Sequence, residues 1–280
     1  MTLLAILLAI AAGCAFAFAA ALQHRAAAAE TDSRMGDPRL LIRLARNPYW
    51  LIANVLDVGA VVLQAAALSA GAIVVVQPLM VSGLILAVPV GAMLNNRPVS
   101  RWDMSGVIVG AIALAGFVAL ADPTEGIDNP PLSDWAVVLI GCGLAVAVTL
   151  MLGRVLSGVR RAISLGVATG VLYGLTAALL KTCVSLLSDP LALVTSWQLY
   201  LLAFAGVLGF ILNQNVYQSG SLAAGLTTLT LVEPIVALLV GITAFGEHLA
   251  VGGYRGAGMA LAAVGLVISI VLVARSSPEG

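Results

Sequence analysis

Between Gly225 and Glu247 the chain reads GLTTLTLVEPIVALLVGITAFGE. This apolar run is long enough to cross a bilayer, with one carboxylate, Glu233, near its middle and Pro234 directly after it. An earlier stretch, Gly71 to Asn96, reads GAIVVVQPLMVSGLILAVPVGAMLNN and puts Gln77-Pro78 where the later one has Glu233-Pro234. A charge at mid-membrane depth is costly, and proline withdraws a backbone donor. A polar side chain beside proline at that depth therefore demands partners or water. Two such broken helices predict a solute pathway framed by a membrane-embedded bundle.

The rest of the composition agrees. Hydrophobic residues make up 61% of the chain and charged residues 9%, against about a quarter charged in soluble domains. Net charge is zero, so nothing predicts nucleic acid or an acidic soluble partner. Cys14, Cys142 and Cys183 all fall in apolar runs, which predicts small buried apolar groups and neither a disulfide framework nor a metal site. Residues 1–22 have the apolar core of a secretory leader, but no Lys or Arg precedes it and five Arg follow, so they are expected to be a first transmembrane helix.

Nine spans follow from the apolar runs: 2–22, 48–69, 72–94, 104–121, 135–152, 163–187, 197–216, 221–244 and 256–273. The predicted fold is an all-α polytopic bundle of nine transmembrane helices, with 23–47 as a polar loop holding a short surface helix. Arg25, Arg34, Arg39, Arg43, Arg46, Arg97, Arg101, Arg154, Arg160, Arg161 and Arg275 share one side of such a bundle. The loop with Asp122, Glu125, Asp128 and Asp134 falls on the other. Positive charge stays inside, which places the N-terminus outside and the C-terminus in the cytoplasm of a cell-membrane protein.

Sequence similarity recurs at an offset near 155: Leu63 to Gly71 matches Tyr217 to Gly225, and Gly13 to His24 matches Gly170 to Lys181. Spans 1–4 thus correspond to spans 6–9 with span 5 between them, an inverted-topology repeat. Residues 1–122 form a four-helix repeat and 132–280 a five-helix repeat within one transmembrane domain. Gly166, Gly170 and Gly174, and separately Gly106 and Gly110, recur every fourth residue. That spacing favours close packing inside the bundle over a homodimer seam.

Glu233 is the leading candidate for binding a solute or ion, with Thr227 and Thr230 on a neighbouring stripe. Asn54, Asp57 and Gln64 fall on one face of span 2, facing either a cavity or another helix. Gln77 occupies the matching Gln-Pro site. Lys181, near the outer end of span 6, is expected to snorkel to the interface; an inward Lys181 would pair with a carboxylate or an anionic solute. Tyr173, beside Thr169 and Thr176, serves packing or lines the cavity. Asn213, Asn215 and Gln218 sit at a span end. His24 and His248 fall near opposite faces, and the serine of Ala67-Leu-Ser69-Ala-Gly71 lacks the strand a nucleophile elbow requires, so no enzyme is expected. No cofactor is expected either.

With Gln77-Pro78, Glu233-Pro234 and the span ends at Asn95-Asn96 and Gly246-Glu247, the chain resembles the drug/metabolite transporter superfamily (EamA-like). It is nearest the nine-helix NIPA-like branch, named for magnesium transporters. YWLIANVLDVGAVVLQAAALSAGAIVVVQPL and NQNVYQSGSLAAGLTTLTLVEPI stand in the order the resemblance requires. Asn95-Asn96 depart from the later Gly-Glu. The resemblance implies alternating access for a small polar or cationic solute. A magnesium cargo is the alternative, and Asp57 with Glu233 would then meet the metal and its retained water. A non-transporting membrane scaffold is the reading from another class.

Overall fold

A computed structural model describes residues 3–28, 46–83, 101–124, 126–217, 222–249 and 252–276. Ten helices occupy them: α1 (Leu3–Ala28), α2 (Pro48–Ala70), α3 (Ile73–Met80), α4 (Arg101–Ala121), α5 (Leu132–Val155), α6 (Gly158–Ser185), α7 (Pro190–Thr195), α8 (Trp197–Tyr217), α9 (Leu222–Thr243) and α10 (Tyr254–Ser276). Eight are long and apolar enough to cross a membrane. The third predicted crossing is described only as far as Gly83, where α3 forms its start. Its remainder, Asn95-Asn96, the surface helix expected within 23–47 and Gln218 lie outside the described residues. Among the described residues there is no strand, only an isolated bridge between Thr124 and His248.

Seven of the eight long helices match the expected spans closely. The exception is α1, which runs on to Ala28 where a polar loop was expected from residue 23. Ala26, Ala27 and Ala28 are the best helix formers available, so nothing stops the helix at the end of its apolar run. Entry into α2 is set locally: Asn47 accepts from the Tyr49 amide at 3.0 Å, and Pro48 stands in the first turn, where its missing donor costs nothing.

Large apolar side chains cover the outside, among them Val137, Ile140, Leu144, Val148 and Met151 along α5. Many of the buried contacts within are made by Ala and Gly, beside Leu, Ile, Val and a few aromatic side chains. The short α3, every residue of which is buried, lies in the middle of the main core. α1 packs on α2 and α3, α6 packs on α8 and α9, α3 meets α9, and α4 meets α10. The glycine stripe of α6 faces α9. A Cβ at Gly166, Gly170 or Gly174 would come to 2.5 Å from the Gly225 carbonyl oxygen, 2.8 Å from Val232 Cβ and 2.7 Å from the Glu233 carbonyl oxygen. Gly106 likewise serves an internal contact, its carbonyl accepting from Ser269 Oγ of α10 at 2.7 Å.

Charge separates by end. Arg25, Arg46, Arg101, Arg154, Arg160 and Arg161 lie at one end of the helices, and Asp122, Asp128, Asp134 and Asp189 at the other. Arg255, at the acidic end, pairs there with Asp122 at 2.6 Å.

Candidate functional site

α9 carries Glu233 midway along its length, directly before a proline that leaves the helix unbroken. At 100° per residue, Glu233 shares a stripe with Leu229, Ala237 and Val240, all buried. Ile235, Leu239 and Ile242 are exposed on the opposite, outward face. The acid therefore points into the bundle. It is nonetheless only half-buried, and among the described residues no hydrogen bond or ion pair reaches its carboxylate. Its backbone carbonyl rests against Gly174 of α6, which brings the two helices together at that depth. The Thr230 hydroxyl donates to the Leu226 carbonyl of its own helix at 2.8 Å and leaves the acid unassisted.

Nearer the basic end, three helices converge on a polar chain. Gln23 Nε2 of α1 donates to Asp57 Oδ2 of α2. Gln214 Nε2 of α8 donates to Gln23 Oε1 at 3.3 Å. Gln23 and Gln214 are buried, and Gln64 is buried two turns beyond Asp57 on the same face. The predicted stripe on span 2 thus faces helices, with Asn54 differing: its amide donates to the Trp50 carbonyl of α2 itself at 2.7 Å. Nothing joins Asp57 to Glu233 by a hydrogen bond or ion pair among the described residues.

Gln77 is buried at the centre of the core, and its Nε2 finds no hydrogen-bond partner among the described residues. Tyr173 packs on α8, where a Cβ at Gly209 would stand 2.8 Å from its ring. Thr169 and Thr176 bond to carbonyls of α6. Asn213 is buried, whereas Asn215 is half-buried and bonds to Ile211 of its own helix. Ser69 likewise bonds within α2. The three cysteines are free. Among the described residues no group of three or more His, Cys, Asp or Glu is placed to hold a metal ion.

Lys181 overturns the snorkelling expectation. It is buried and pairs with Glu247 at 2.5 Å. Glu247 is fully buried just beyond α9 and also accepts from the amides of Ile73 and Val74, each at 3.0 Å. Those amides open α3, where the first turn of a helix leaves donors unsatisfied. The signal was present: the chain's one lysine and an acid following a Gly both fall at the acidic end of their spans, and opposite charges in an apolar setting seek each other.

These elements define an all-helical, multi-span membrane protein. An uncharacterized protein of Corynebacterium glutamicum is similar, with 29% identity over 278 residues that cover 98% of this chain and 96% of that one. No family model matches the chain, and no solved structure matches it.

Proposed function

We propose that the protein is a secondary transporter of the drug/metabolite superfamily that moves a small polar or cationic solute by alternating access, with Glu233 on the solute path. The observation that carries this reading is the position of Glu233: an acid on the interior face of a membrane-spanning helix, retaining accessible surface and bonded to nothing described. An intramembrane carboxylate without a structural partner is a functional group by default. The packing of α1 on α2 and α3, repeated by α6 on α8 and α9, supports two related halves facing each other through α3 and α9. The gathering of arginines at one end supports an outside N-terminus in the cell membrane. A magnesium cargo gains no separate support, because among the described residues no group of three or more His, Cys, Asp or Glu is placed to hold a metal ion.

The test begins with a solute found by thermal stabilisation of the purified protein, since a ligand of the native state raises apparent stability. In proteoliposomes loaded with that solute, Glu233→Gln is expected to lose flux. Unchanged, pH-independent flux in that variant would remove Glu233 from the path.

A further inference from the structure

At the acidic end of the bundle lies a charge cluster remote from Glu233. It joins three segments: the start of α3, the last turns of α6 and the link between α9 and α10. Glu247 Oε1 accepts from the Ile73 amide and from Lys181 Nζ, and Oε2 accepts from the Val74 amide. Aromatic rings cover it. The Phe245 ring centre is 5.2 Å from Lys181 Nζ, and Trp135 stacks edge-on against both Phe245 and Trp197. Two glycines make the geometry feasible. Gly246 turns the chain at φ 63°, and a Cβ at Gly241 would stand 2.8 Å from Glu247 Oε2.

A buried ion pair is weak evidence for stability, because apolar groups of the same shape hold helices together at least as well. This one does something apolar packing cannot. All of its partners lie on other segments, and each contact is directional, so withdrawal of Glu247 breaks all three contacts together and leaves groups that can exchange their bonds for water. We propose that Glu247 is the bolt of a gate: bound to Lys181 and the α3 amides it holds the acidic end of the bundle shut, and its release opens that end to the solute. This rests on the alternating-access reading, in which one end must open while the other is closed. The cluster also shares its helices with the path. α9 leads from Glu233 to Glu247, α6 carries both Gly174 and Lys181, and α3 carries Gln77.

Amide hydrogen exchange reads the gate without any solute, so it can fail while the transport reading stands, and the reverse. In Lys181→Gln, residues 71–78 and 243–249 are expected to exchange at least tenfold faster than in the unaltered protein, while 50–58 and 210–216 stay the same. In the reversed pair, Lys181→Glu with Glu247→Lys, exchange is expected to stay fast, because a lysine cannot accept from the Ile73 and Val74 amides. Unchanged exchange in Lys181→Gln, acceleration everywhere, or restored protection in the reversed pair would each overturn the proposal. Should neither variant fold, the unaltered protein still decides. Residues 71–78 and 243–249 must then open together and faster than the rest, and exchange of these segments only through global unfolding contradicts the gate.

Discussion

Glu233 and Glu247 belong to the same stretch of chain, one in the middle of α9 and the other just past its end, and the bundle treats them in opposite ways. Glu247 has no exposed surface and is met by an ammonium and two backbone amides. Glu233 points inward too, yet keeps accessible surface and has no described partner. Depth and inward direction alone therefore do not distinguish the two acids. The donors aimed at each carboxylate do: Glu247 has three, and Glu233 has none among the described residues.

The comparison breaks most visibly under truncation. Glu247→Ala leaves Lys181 and two amides without their acceptor, and thermal unfolding in detergent is expected to register a loss of about 3–5 kcal/mol, as for other buried pairs with one member removed. Glu233→Ala breaks no bond and is expected to stay within about 0.5 kcal/mol of the unaltered protein. Equal losses would erase the distinction. The glycines sharpen it at the level of packing. Gly170→Val forces a side chain into Val232 and is expected to cost about 1–3 kcal/mol, whereas Gly141→Val on α5, with nothing within 4 Å, is expected to be neutral in the same assay. Smaller still, Gln23→Leu removes the amide between Asp57 and Gln214 and is expected to cost about 1.5 kcal/mol. Ser269→Ala, which frees one carbonyl of α4, should cost about 1 kcal/mol.

Much of this frame was legible in the sequence. Apolar runs locate spans because a backbone inside lipid must satisfy its own hydrogen bonds, and that constraint is written locally. The glycine stripe on α6 was legible for the same reason: a four-residue repeat of missing side chains admits a neighbouring backbone wherever it occurs. Glu233 stood out by depth alone. Partner choice was not legible. The stem of Lys181 is long enough for either the interface or the interior, and what decides between them is Glu247, sixty-six positions away and folded back by the turn at Gly246. Gln23 and Gln214 carry no mark in the sequence that sets them apart, and only the meeting of three helices brings them to Asp57. The span-2 stripe was readable as a stripe, and its listeners, α1 and α8, were not.

The central claim is that Glu233 borders a wet interior path. It is tested most directly by placing single cysteines in a protein whose Cys14, Cys142 and Cys183 are replaced by serine. In intact membranes a water-soluble, membrane-impermeant maleimide is expected to label Glu233→Cys and to leave Ile235→Cys, on the lipid face of the same helix, unlabelled. Labelling at Ile235→Cys with none at Glu233→Cys would contradict the account.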